Sequence, residues 1–163
     1  VPQTNFCTIF AKKMIQFEYL PFEELSVYRL YEIMARRQDV FCVEQNCPYL
    51  DPDGLDFQAL HLMGLDESGD IVAYARLLPE GSPYEGYQSL GRVLTVASRR
   101  RTGIGKLLVE KALEALEASF GSGPVKISAQ SYLVPFYRGF GFEPSGPEYL
   151  EDGIPHTPMV KGS

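Results

Sequence analysis

The stretch from Gly91 to Gln130 constrains the fold more than any other part of the chain. "GRVLTV" (Gly91–Val96) is a short run with β-branched residues and reads as a strand. From Ile104 to Phe120, Ile104, Leu107, Leu108, Leu113, Leu116 and Phe120 form an apolar face. Lys106, Glu110, Lys111, Glu114 and Glu117 mostly occupy the other, which predicts a helix. "GSGP" ends that helix, and "VKISAQ" (Val125–Gln130) alternates as a second strand. Two strands joined through one helix make a parallel pair, and a ligand belongs at the strands' carboxyl ends.

Between the first strand and the helix lies "RRRTGIGK" (Arg99–Lys106). A helix begins with unpaired N–H groups and a partial positive charge, so it favours a bound phosphate. Gly103 and Gly105 remove side chains where a bulky anion must approach the backbone, and arginine adds bidentate contacts. A nucleotide-triphosphate loop needs a glycine five residues before Gly105 and Ser or Thr after the lysine. Arg100 and Leu107 stand there. A dinucleotide fingerprint needs a third glycine where the chain has Leu108. What remains is R-x-x-G-x-G, from Arg100, Gly103 and Gly105. Alone, that pattern equally suits a basic turn that only caps a helix.

Elsewhere, "MIQFEYL" (Met14–Leu20) reads as a first strand, broken by Pro21. From Ser26 to Val43, Leu30, Ile33, Met34 and Val40 recur at helical spacing, with Arg36, Arg37 and Asp39 on the other side. "CPYLDPDGLD" (Cys47–Asp56) is a loop. "ALHLMGL" and "IVAYARLL" flank "DESGD" as a hairpin, and "EGSPYEGYQS" (Glu80–Ser89) is a second loop. A short helix starts near Pro135, and "GFEP" leads into a last strand or hairpin. The order β-α-β-β-β-α-β-α-β is an α/β domain with a mixed sheet, and no linker divides it.

The 163 residues suit one domain, expected over 14–161, and the net charge is −6. That balance disfavours nucleic acid and anionic membranes as partners and suits a cationic substrate such as an amine. No apolar run approaches the ~18 residues of a membrane span. Three cysteines, Cys7, Cys42 and Cys47, without a disulfide framework point to a reduced, cytoplasmic chain. Val1–Lys13 lacks any period and reads as an extension before a start at Met14, with a presequence remnant as the alternative. The closing Gly162-Ser163 resembles a cloning remnant.

A second motif, "SYLVPFYRGFGF" (Ser131–Phe142), follows the second strand. The pairing of R-x-x-G-x-G with F-Y-x-x-[FL]-G-F, each after a strand, resembles the GCN5-related N-acetyltransferase (GNAT) superfamily over about Ile15 to Val160. "VFCVEQNCPYLDPDGLD", "IVAYARLLP", "GRV" and "EDGIPH" followed by "PM" resemble its ElaA-like branch. The resemblance implies a mostly antiparallel mixed sheet, flanked by helices, whose central parallel strands splay apart. It implies acetyl-coenzyme A as donor. Pantetheine would pair with the main chain of Val93, Leu94 and Thr95. Pyrophosphate would lie on Arg100, Arg101, Thr102, Gly103, Ile104, Gly105 and Lys106. Gly139 departs from the family, which usually has a better helix former there, at a cost of about 1 kcal/mol.

Amine acetylation requires a neutral amine, donors for the developing oxyanion and a proton for the departing thiolate. The N–H of Leu94 or Thr95 suits the oxyanion. Tyr137 occupies the family's thiolate-protonating position, and a phenol of pKa about 10 is protonated at pH 7. Phe136, Phe140 and Phe142 are the packing aromatics. Candidate bases are Glu44 and His156, with water as an alternative; Glu44 could instead pair with Arg76 or Arg92. His61, alternating with Leu60 and Leu62, reads as a sheet histidine or a base. Cys42-x4-Cys47 lacks a second ligand pair, so no zinc site is expected. The expected activity is N-acetylation of a small-molecule or peptide amine, with a non-catalytic acyl-coenzyme A sensor as the alternative. A homodimer is compatible with either.

Overall fold

The computed structural model describes residues 14–162. The extension expected at 1–13, with Cys7, and the last residue of the closing pair lie outside the described residues. The elements are β1 (Gln16–Pro21), α1 (Val27–Gln38), β2 (Leu60–Leu65), β3 (Ile71–Leu78), β4 (Gln88–Thr95), α2 (Ile104–Phe120), β5 (Val125–Gln130), α3 (Val134–Arg138), β6 (Glu143–Pro144), β7 (Tyr149–Glu151) and β8 (Ile154–Lys161). One eight-stranded sheet runs β1-β2-β3-β4-β5-β8-β6, with β7 also on β8. All its pairs are antiparallel except β4 with β5.

The two faces of the sheet are both covered. Leu62, Ala73, Ala75, Leu77 and Leu90 pack under Leu108, Val109, Ala112 and Leu116 of α2. On the other face Met63, Tyr74 and Leu94 pack with Ile33 of α1 and Val40. β3 is therefore buried at every position, which explains its apolar sequence, interrupted only by the ion-paired Arg76. Each fully buried Leu, Ile, Val or Met here contributes about 1.5–3 kcal/mol.

α2 and β5 match their expected ends, and the hairpin forms as β2–β3. Five departures from the expected elements stand out. The expected first helix stops at Gln38, and a π-helical turn, Asp39–Glu44, carries the chain on. Such turns concentrate at functional sites. β4 starts at Gln88, inside the expected loop. Its polar start is satisfied when Gln88 Nε2 donates to the Gly121 carbonyl at 2.8 Å. Arg37, expected on the outer helix face, is 0% exposed, because two carboxylates meet it there. Leu107, expected on the apolar face of α2, is 38% exposed. The final "strand or hairpin" is three strands, β6 to β8.

Candidate active site

β4 and β5 share only two register pairs, Gln88 with Val125 and Ser89 with Lys126. Beyond Ser89 the strands are no longer paired. A cleft of about 720 Å³ opens between them, walled by Gly91–Thr95 on one side and Ile127–Gln130 on the other. This is the splayed parallel pair expected from the sequence.

At the end of β4 the chain makes a short 3-10 turn (Ala97–Arg99) and enters the glycine stretch. Arg101 is left-handed at φ 62 and Gly103 at φ 88. Gly103 stands at the N-cap of α2, where no side chain caps the helix. A Cβ on Gly103 would meet no protein atom within 4 Å, so the space beside it is open. The first N–H groups of α2 are thus available to an outside acceptor. Thr102 Oγ1 donates to the Arg99 carbonyl at 2.6 Å and tightens the turn. Arg100 Nε donates to the Thr95 carbonyl at 3.0 Å, which holds the guanidinium at the end of β4.

Val93, Leu94, Thr95, Arg100 and Gly105 line the cleft. Arg101, Thr102, Gly103 and Lys106 are exposed outside it. The Ile104 side chain is in the core, so only its main chain could serve a ligand.

Tyr137, Glu44 and His156 all reach the same cleft. Tyr137 is 6% exposed, packed edge-on against Phe136 and Phe142. Burial, helped by the nearby Tyr132 phenol, raises its pKa well above the ordinary value and keeps the proton on. The Phe136 and Phe142 rings do the packing, as expected. Glu44 pairs neither with Arg76 nor with Arg92: its Oε2 accepts from Arg100 Nη2 at 2.6 Å. His156, on β8 opposite Gln130, donates from Nδ1 to the Ile154 carbonyl at 2.8 Å. In the neutral ring Nε2 then carries the lone pair, and its nearest carboxylate oxygen, on Glu151, is 4.0 Å away.

His61 does not reach the cleft. It is 0% exposed, between the Tyr74 hydroxyl at 2.8 Å and the Asp56 carbonyl at 3.0 Å. A carbonyl only accepts, so Nε2 donates to Asp56 and Tyr74 donates to Nδ1. Burial lowers its pKa, and the ring is a neutral sheet histidine. Cys42 and Cys47 are free thiols, and among the described residues no cluster of His, Cys, Asp or Glu is placed to hold a metal ion. Among the described residues no helix is long and apolar enough to cross a membrane.

An acetyltransferase (GNAT) domain model matches residues 53–163. The protein ElaA of Escherichia coli is 40% identical over 150 residues, covering 91% of this chain and 97% of its own. The chain belongs to the GNAT acetyltransferase family, on its ElaA-like branch. The fold agrees. The crystal structure of an acyl-CoA N-acyltransferase from Pseudomonas aeruginosa superposes with TM-score 0.86 at 37% identity, over 91% of this chain and 100% of that one. Escherichia coli ElaA gives 0.84 at 39% identity, over 91% and 99%.

This GNAT domain also holds charged groups that sequence reasoning did not assemble. Three arginines meet three aspartates at the cleft, which Asp53, Arg76 and Arg92 line and Arg37, Asp51 and Asp56 support from behind. Arg37 bonds Asp51 at 2.8 Å and Asp56 at 2.5 Å; Arg76 bonds Asp53 through two nitrogens at 2.7 Å; Arg92 bonds Asp51 at 2.8 Å. Burial opposes ionisation of Asp53, but Arg76 and Arg92 outweigh it and hold its pKa down to about 2. Asp56 is lowered for the same reason, Arg37 and Arg76 outweighing burial. The signal was present as D-x-D-x-x-D in the loop and lone arginines in apolar strands. A second group, Ser128, Tyr149 and Glu151, is linked by hydrogen bonds beside His156. Ser128 and Glu151 line the cleft, as does Tyr84 of the loop before β4. Nothing in their spacing announces them.

Proposed function

We propose that this GNAT protein transfers an acetyl group from acetyl-coenzyme A to a primary amine of a small molecule or peptide, by direct attack. The observation that carries the reading is the open β4–β5 cleft ending at the uncapped, left-handed start of α2. The β4 main chain at Val93–Thr95 lines the cleft and leads through one short turn to the helix N–H groups, as an elongated phosphorylated thioester requires. The residues fit the donor: the space at Gly103 is open, and Arg100 waits at the end of β4. The donor supplies an activated acyl group on sulfur. Every other step falls to the chain.

In this reading, the N–H of Leu94 or Thr95 holds the developing oxyanion. His156 Nε2 takes the proton that the amine loses as the C–N bond forms. Glu44 is the second choice, because its carboxylate is engaged by Arg100. Tyr137 gives its proton to the thiolate as the C–S bond breaks, and solvent restores it. Glu151, which among the described residues has His156 as its only basic neighbour within 4.0 Å, gives an arriving ammonium a counter-charge, and that ammonium releases one proton to solvent before the neutral amine attacks.

The test is thiol release from acetyl-coenzyme A across a panel of amines with the purified protein. Amine-dependent release supports transfer. Tight binding of acetyl-coenzyme A with no release for any amine replaces the enzyme with an acyl-coenzyme A sensor.

A further inference from the structure

Gly91 and Arg92 sit side by side in β4, yet the left-handed residue is the arginine, at φ 51. The register explains why a turn is needed. Tyr74 faces Leu94 and Arg76 faces Gly91, so Arg92 and Val93 together oppose only Ala75. That is a bulge, and its left-handed position ordinarily takes glycine. Something must hold an arginine there. Arg92 Nε donates to Asp51 Oδ1 at 2.8 Å, and Nη2 to the Asp51 carbonyl at 3.0 Å and to Asp53 Oδ2 at 3.4 Å. The guanidinium also lies 5.8 Å from the centre of the Tyr49 ring, whose hydroxyl donates to the same Asp51 oxygen at 2.9 Å. Asp51 is itself fixed from behind by Arg37 of α1. The bulge falls where β4 has left β5, and the next residues, Val93 to Thr95, wall the cleft.

We propose that Arg92 is a positioning residue: gripped by Asp51 and Asp53, it fixes the left-handed turn of the bulge and so aims the main chain of Val93–Thr95 at the acyl donor. The inference rests on reading this wall as the donor site. A buried ion cluster is weak evidence for stability, since well-packed apolar groups often do as well. Its placement at a strained turn on the cleft is what gives it a task.

The test compares Arg92→Ala, Arg92→Gly and Arg92→Lys, by single-turnover transfer and by the Val93 and Leu94 amide signals in ¹⁵N-labelled protein. Alanine loses the grip and resists the left-handed turn, so the rate falls about 10–100-fold, as small misplacements of reacting groups do. Glycine loses the same charge but accepts the turn. It is expected about 5–30-fold faster than alanine, the factor that left-handed strain amounts to, with its amide signals closer to wild type. Lysine keeps the charge without the two-pronged grip and should resemble alanine. Alanine and glycine variants equally slow, or lysine equal to wild type, would overturn the proposal, because charge alone would then be the function. If no amine is acetylated by the wild type, the functional reading fails separately. The amide signals then decide: return toward wild type in the glycine variant supports the positioning role, and equal displacement in both variants overturns it. Asp51→Asn, which weakens the grip but keeps Arg92, gives a milder form of the alanine result if the arginine variants fold poorly.

Discussion

The two walls of the cleft are made of different material. On the β4 side the proposed donor contacts are main chain: a bulged strand walls the cleft, and outside it stand the left-handed Gly103 and the bare first turn of α2. The facing wall is side chains, with Tyr137 from α3, His156 from β8, Ser128 from β5 and Glu151 from β7. A main-chain cradle has to be contiguous, so its residues keep a fixed spacing along the chain. A side-chain constellation can be gathered from anywhere the fold brings close. On our reading, the first wall holds the donor and the second runs the chemistry, so damage to the two should separate binding from turnover.

The largest separation is expected at Tyr137. Tyr137→Phe keeps the ring between Phe136 and Phe142 and loses only the hydroxyl. Coenzyme A affinity by calorimetry should be unchanged, while the single-turnover rate falls by about 10²–10⁴-fold, the usual range for acid catalysis. An unchanged rate would make Tyr137 a packing residue and blur the contrast between the walls. Next comes His156. His156→Gln removes the free Nε2 and should slow transfer about 10²-fold at neutral pH. If Glu44→Gln slows it instead, the base sits on the π-helical turn; if neither does, water is the base.

On the other wall, Gly103→Val should spare the fold but not the binding. Ligand at about 100 times its Kd stabilises a protein by about 2.7 kcal/mol, so acetyl-coenzyme A should raise the wild-type Tm. Valine at φ 88 is strained and fills the open space beside the helix start, so the shift should vanish. Equal shifts in both proteins would remove the cradle.

The smallest effect concerns the ion-pair cluster beside the β4 wall. The folded-state pKa of Asp53 lies near 2, below its ordinary 3.8. Its ionisation therefore adds stability above pH ~4, and that contribution is lost as pH falls through about 2. Wild type should lose denaturant resistance between these limits more steeply than Asp53→Asn. Superimposed acid limbs would mean that Arg76 gains nothing from this partner.

The same division sets what could be read from the sequence. Arg100, Gly103 and Gly105 were legible as R-x-x-G-x-G at the start of α2, where we propose the cradle, and α2 and β5 were legible from periodicity because each buries one face. β4 was legible only in part, since Gln88 and Ser89 look like loop residues until the Gly121 carbonyl is seen to satisfy Gln88. The bulge was invisible: Gly91 is the residue that invites a left-handed turn, and long-range ion pairs place it on Arg92 instead. Arg37 looked like a surface residue for the same reason, because its partners Asp51 and Asp56 lie in a loop beyond the helix. Glu151 and Tyr149 could not be tied to Ser128 without knowing that β7 folds back on β8.

The most direct measurement is a crystal structure with acetyl-coenzyme A bound. It should place the pyrophosphate within hydrogen-bond distance of the N–H groups from Gly103 to Lys106, with pantetheine paired to Val93–Thr95 and sulfur beside the Tyr137 hydroxyl. A ligand seated anywhere other than between β4 and β5, or a pyrophosphate held by side chains alone, would contradict the account.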